Sequence, residues 1–399
     1  MTRNLIKFAS LTLVAIISIL VGFFPFDSEV IEYLITHYAY WIIFTAFLLF
    51  LFYSWKAFAK IVWKSLQDPK ELTIGVALIL LSIFLFTRED AAFKIYHDEP
   101  TLLSTAKTMH EKRSAVAEQS SKDEHGAVPY IDKRPLFFPL VVSLAHDVFG
   151  YRVSNAYWLN LLLCLLCLRL IYHVAFKVTQ NRTASLTASI FMASHPLLAQ
   201  NASGAGFELL NLCMILTSAA YALHYIEKPN TDRLNALVFS TILLCQARYE
   251  SATFILPAIV AIGVITLRQK QLNLSTPFIL SPLFFLPLAW QHKHISENPA
   301  FWQGSAERPT PFSLNYLSGN LEAAMEFFLV PNSLYPNSPI VGVVGIVATV
   351  FVTLAISKRL RSSPASIELI ILPLFLLTVA LNFVILMLYS WGQLNTHLG

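Results

Sequence analysis

Two adjacent carboxylates, Asp98 and Glu99, follow an apolar run that ends near residue 87. A carboxylate so placed can take the proton of an attacking hydroxyl or amine. By spacing alone such a pair also serves to solvate an external loop, so it gains meaning only in company. Lys133 and Arg134 precede the apolar stretch RPLFFPLVVSLAHDVFG. Cations at that depth can bind a lipid phosphate, or simply snorkel to headgroups. Glu208, in NASGAGFELLNLCMIL, stands at the mouth of another apolar run. A charge there faces protein or water and marks function by default. Arg248 and Glu250 flank Tyr249 in CQARYESATFILP, either as site residues or as an ion pair closing a turn. Carboxylates and cations on one membrane surface suit glycosyl transfer from a lipid phosphate. The base takes the acceptor proton during attack on the anomeric carbon, and the cations hold the departing phosphate.

These residues must be positioned by membrane helices. Of 399 residues, 56% are hydrophobic and only 13% charged, and the mean hydropathy is +0.59. That composition excludes a disordered chain, a disulfide scaffold and an ordinary soluble enzyme. The net charge of +4 is spread over loops and gives no reason to expect nucleic acid. All four cysteines lie in apolar runs, and the Cys164/Cys167 pair lacks the polar surroundings of a redox or metal site. Arg3 and Lys7 precede the run from Phe8 to Phe24 with no small-residue cleavage site after it, which reads as a retained signal anchor.

The expected fold is an all-α polytopic membrane protein with about eleven spans, near 8–25, 39–55, 72–87, 153–173, 183–200, 207–226, 234–248, 250–267, 275–290, 339–357 and 365–390. With that number, the clusters Arg3/Lys7, Lys56/Lys60/Lys64, Lys177/Arg182, Lys228/Arg233, Arg268/Lys270 and Lys358/Arg359/Arg361 all fall on one side. The positive-inside rule then puts the N-terminus in the cytoplasm. Outer loops are expected at 88–152 and 291–338, the first carrying an interfacial amphipathic helix at RPLFFPLVVSLAHDVFG. The chain divides into two extra N-terminal transmembrane helices (1–71), a catalytic membrane module (72–290), the second outer loop (291–338) and C-terminal transmembrane helices (339–399).

In order and spacing these motifs resemble the GT-C superfamily of polytopic glycosyltransferases, in particular the protein O-mannosyltransferases, the lipid A aminoarabinose transferases and their bacterial relatives. An acidic motif of the type D-E-x-x-Y reads YHDEPTLLSTAKTM, and a K-P-P-L-like helix start reads KRPLFFPLVVSLAHDVFG. The segment YRVSNAYWLNLLL is a loose match to the span that follows, NASGAGFELL to an S-R-x-G-x-x-D-x-L-L motif, and ARYES to a T-R-x-E-G-like turn. The resemblance covers roughly 72–290 and implies Asp98 as base with Glu99 beside it, Lys133 on the donor phosphate and Glu208 shaping the site. It places Arg248 and Glu250 in structural or phosphate-adjacent roles. The implied donor is a polyprenyl-phosphate sugar, transferred with inversion to a protein, lipid or glycan acceptor on the periplasmic face of a bacterial inner membrane. The chain departs from the pattern where Glu208 replaces Asp, where Asn201 to Gly204 lack an Arg, and where Arg134 replaces a Pro. Relatives continue past a W-G motif like Trp391–Gly392, so a short relative and a truncated reading frame are both open. No cofactor is required by the motifs. A divalent metal held by His97, Asp98, Glu99 and His110 remains an open alternative. The rival readings are a polytopic transporter, which needs charge at the bilayer midplane, and an inactive scaffold that binds membrane lipids.

Overall fold

The computed structural model describes residues 2–24, 26–120, 127–269, 274–298, 308–331, 337–362 and 368–393. Helix α1 (Thr2–Phe23) is followed by α2 (Ser28–Leu34), which runs through a π-helical turn at Ile35–Ala39 into α3 (Tyr40–Gln67). Asp68 caps α4 (Pro69–Thr87) by accepting from the Lys70 N–H at 3.0 Å, with Pro69 in the first turn, where its missing N–H costs nothing. After α7 (Ser154–Thr179) the chain turns through Gln180 in the left-handed region, φ 53°, and Asn181 caps α8 (Arg182–Ala193). Helix α10 (Glu208–Glu227) leads to Asn230, which caps α11 (Thr231–Ala247) from 2.9 Å.

The turns before α4, α8 and α11 share one end of the bundle, and charge ties them together. Glu71 accepts from Arg169 (3.1 Å), Arg182 (3.2 Å) and the Tyr172 hydroxyl (2.8 Å), and Arg182 also grips Asp68. Lys177 pairs with Glu227 at 2.7 Å. Lys7 donates to the Leu274 carbonyl at 2.7 Å, bringing the start of α1 to this same end.

The expectation of about eleven spans is overturned. Among the described residues, six helices are long and apolar enough to cross a membrane: Leu5–Phe23, Ser28–Gln67, Pro69–Thr87, Ser154–Thr179, Glu208–Glu227 and Tyr249–Gln269, the last a 3-10 turn running into α12 (Ile255–Gln269). Backbone chemistry explains the difference. The expected span 183–200 breaks at His195, which is extended before Pro196, leaving α8 and the eight-residue α9 (Pro196–Ser203). The expected span 275–290 is cut by Pro277, Pro282 and Pro287 into α13 (Thr276–Leu280), a 3-10 turn (Ser281–Phe285) and α14 (Leu286–Glu297). The expected span 234–248 is the 17-residue α11, a core helix enclosed by its neighbours that carries buried Asn235, Ser240, Thr241 and Gln246. The apolar helices Pro339–Leu354 and Pro373–Leu388 are shorter than a span. They belong to α16 (Pro339–Ser362) and α17 (Glu368–Leu388), which follow α15 (Leu317–Leu329).

At the other end a small cap rises from the bundle. It contains α5 (Asp98–Lys112), a hairpin of β1 (Ala117–Ser120) and β2 (Ala127–Tyr130), and α6 (Phe137–Phe149). The strands are antiparallel, with Ala117 opposite Tyr130. Ser104 bonds to both the carbonyl (3.0 Å) and the N–H (2.8 Å) of Glu118, fixing the hairpin on α5. Helix α5 suits its dipole, with Asp98 and Glu99 in the first turn and His110 and Lys112 in the last. Helix α6, expected to be interfacial, turns its apolar face to protein instead of lipid. Phe137, Phe138, Leu140, Val142, Ser143 and His146 are all buried, because α6 is wedged between α5 and the bundle helices α3, α7 and α11. Only its last residues emerge.

Candidate functional site

The first turn of α5 supplies Asp98 and Glu99, and the two carboxylates meet different surroundings. Asp98 is partly open to solvent, with a side chain 39% exposed, and forms a direct ion pair with Arg134. The guanidinium of Arg134, only 13% exposed, also bonds to Asp132 at 2.5 Å and to the His97 carbonyl at 3.2 Å. Asp132 is buried and accepts in addition from the Arg134 N–H at 3.0 Å. Arg134 thus joins two carboxylates, one buried and one facing outward.

Glu99 points inward and is 2% exposed. It accepts from the N–H groups of Lys94 (2.8 Å) and Ala205. Burial pushes its carboxyl up to about 7, and the nearby Glu208 adds to the shift against the pull of the two N–H donors and Lys94. The wall beside Glu99 is the loop between α9 and α10. A Cβ at Gly204 would lie 3.0 Å from Glu99 Oε1, and one at Gly206 would collide with Glu208 Oε2 while standing 3.4 Å from Glu99 Oε1. Glycine is what allows both carboxylates to crowd this backbone. Asn160 on α7 holds the loop in place. Its amide nitrogen donates to the carbonyls of Gly204 (2.8 Å) and Gly206 (3.1 Å).

Glu208, the first residue of α10, has a buried Oε2 with no hydrogen-bond partner. Arg248 lies within electrostatic reach of both Glu208 and Asp98. It also donates to Glu250 at 3.2 Å and stacks over Phe207, 5.7 Å from the ring centre. The ion pair that would close the turn therefore exists, and the same guanidinium faces the carboxylates. Lys133 stands apart: it is exposed.

The structure thus brings Asp98, Glu99, Arg134, Glu208, Arg248 and Glu250 to one end of the bundle. It adds residues that spacing did not reveal. Asp132 follows from reading IDKRP as an acid two places before its cation. Asn160 carries the signal of a lone amide inside an apolar run. Gln291 on α14 donates to the carbonyls of Asp132 (3.3 Å) and Arg134 (3.1 Å), a contact between distant segments that no local pattern encodes. Tyr249 has a buried hydroxyl with no hydrogen-bond partner, near Asp132 and Glu250.

His110 cannot close a metal site with His97, Asp98 and Glu99. It lies twelve residues along α5 from Asp98, about 18 Å at 1.5 Å per residue, and its ring bonds to Asp147 at 2.6 Å. Among the described residues no group of three or more His, Cys, Asp or Glu is placed to hold a metal ion. No protein-family model, no curated protein and no solved structure matches the chain.

Proposed function

We propose that this multi-pass membrane protein is a glycosyltransferase. It moves a sugar from a polyprenyl-phosphate donor to a protein, lipid or glycan acceptor, with inversion, and Asp98 is the base. The observation that carries the reading is the solvent-facing carboxylate of Asp98 paired to Arg134, with Arg248 and the buried Glu99 and Glu208 beside it. The Arg134 guanidinium holds the Asp98 carboxylate in a direct ion pair at the mouth of the site, where a base can meet the acceptor. As the acceptor attacks the anomeric carbon, Asp98 takes its proton and the glycosidic bond to phosphate breaks. Arg134 and Arg248 face the charge that grows on the leaving phosphate, and exposed Lys133 meets the headgroup on approach. Glu99, its carboxyl pushed up to about 7 by burial, carries less negative charge near neutrality than an ordinary carboxylate next to the anionic donor.

The proposed orientation puts this end in the periplasm of a bacterial inner membrane and the N-terminus in the cytoplasm. Support comes from the opposite end, where Lys7, Arg169, Lys177 and Arg182 gather. The interrupted segments 182–203 and 276–297 favour a second reading, a transporter, since broken helices form transporter sites. The two separate by assay. Purified protein is mixed with a panel of labelled polyprenyl-phosphate sugars and donor consumption is followed. Wild type consumes a donor and Asp98→Asn, equally well folded, does not. Equal consumption by both, or none by wild type with any donor, refutes the reading.

A further inference from the structure

Where α6 passes into α7, the apolar side chains face outward. Val148 is 73% exposed and Phe149 66%, and Tyr151 and Val153 are exposed as well. The flanking polar residues Asp147 and Asn155 are engaged from behind. Asp147 accepts from Arg113 at 2.8 Å and bonds the His110 ring at 2.6 Å. Asn155 donates to the Gly150 carbonyl (2.8 Å) and to His146 Nδ1 (2.9 Å). Gly150, at φ 75°, makes the reversal that a side chain would resist. The Tyr151 ring is held edge-on by His146, with centroids 4.9 Å apart, and Lys107 sits over it at 5.5 Å. This is a preformed apolar knob, fastened at its base. A surface facing water would have the reverse pattern.

Its height is set by the chain itself. Helix α7, a candidate membrane span, begins at Ser154. On its first turns Trp158 is exposed and stacks on Phe86 at the end of α4, with ring centroids 5.3 Å apart. An exposed Trp at a helix end, stacked on the half-buried Phe86 of the neighbouring helix end, marks the membrane–water boundary. Ser154 is about 6 Å of helix before Trp158, so the knob stands at headgroup level. Exposed Arg152 and the Lys107 ammonium lie at its rim, where cations meet lipid phosphates.

We propose that residues 148–153 are a membrane anchor, inserted into the headgroup–acyl boundary of the leaflet in which α4 and α7 end. The anchor holds the cap of α5, α6 and the hairpin against the bilayer. Because α5 carries Asp98 at its other end, the anchor also fixes the height of the candidate site. Such an anchor requires no particular chemistry at that site.

The test uses the full chain carrying Phe149→Cys or Val148→Cys, labelled with an NBD fluorophore. The four native thiols are buried and stay unlabelled in the folded protein. The labelled protein is reconstituted in vesicles of phosphatidylethanolamine and phosphatidylglycerol. Quenching by lipid spin-labelled near the headgroup is compared with quenching by aqueous iodide. A probe on the anchor shows blue-shifted emission, loses intensity to the labelled lipid, and is protected from iodide relative to a soluble NBD–cysteine adduct. Lipid quenching at either position supports the anchor. Iodide quenching equal to the soluble adduct at both positions overturns it. Protection from both quenchers at both positions also overturns it, since a protein surface then covers the knob. Glycosyl transfer does not enter the measurement, so this result and the fate of the proposed activity are independent.

Discussion

Replacing Glu99 with Gln isolates the energetic consequence of burying this carboxyl. Its ordinary value is 4.5 and burial pushes it up to about 7. Between those values the folded chain holds the proton and the unfolded chain has lost it. Stability from this group is therefore complete below about 4.5 and declines as pH rises to about 7. A difference of that size amounts to about 3 kcal/mol at 1.36 kcal/mol per pKa unit. The variant cannot titrate at this position. It loses one of the acceptors that serve Lys94 and Ala205, a cost independent of pH. Apparent melting temperatures of both proteins in detergent, read by tryptophan fluorescence from pH 4.5 to 8, give the difference directly. Relative to Glu99→Gln, the wild type should be most stable at the acid end and lose about 3 kcal/mol of that advantage by pH 8. A difference that stays constant, or that grows in the wild type's favour with pH, refutes the reasoning that Glu99 is buried beside Glu208 in the folded state.

The cation beside Asp98 should be structurally essential while its neighbour is not. Arg134→Ala leaves buried Asp132 without its partner, which costs about 3–5 kcal/mol, whereas Lys133→Ala at an exposed position changes stability by less than about 0.5 kcal/mol; thermal unfolding of the two variants measures both. Asn160→Leu strips donors from the Gly204 and Gly206 carbonyls at about 1–3 kcal/mol for each group left unpaired, and should lower the melting temperature and displace the loop that seats Glu99 and Glu208. For orientation, a cysteine at exposed Tyr96 should react with an impermeant maleimide from the periplasmic side, and one at exposed Lys228 only after permeabilisation; the reverse pattern inverts the proposed topology.

Membership in the lipid phase and the location of the charged residues were legible from composition and charge spacing alone. Hydropathy is a sum over a stretch of chain, so it found the segments that became the six long helices. It also found Asp98, Arg134, Glu208 and Arg248, because a charge next to an apolar run is conspicuous wherever the run goes. It misjudged the number of spans because hydropathy is blind to backbone geometry. Pro196 and the series Pro277, Pro282, Pro287 remove N–H groups and interrupt helices without making the segment less apolar. It also could not tell α6 or α11 from lipid-facing helices, since an apolar side chain reads alike against lipid or protein. Which charges meet was settled by packing in three dimensions. Arg134 and Lys133 are adjacent in sequence, yet one bridges Asp98 and Asp132 while the other stands in solvent. The approach of Glu99 to Glu208 depends on two glycines and on Asn160 from another helix. A carboxyl acquires its proton affinity from what surrounds it, and those surroundings are assembled from segments far apart along the chain.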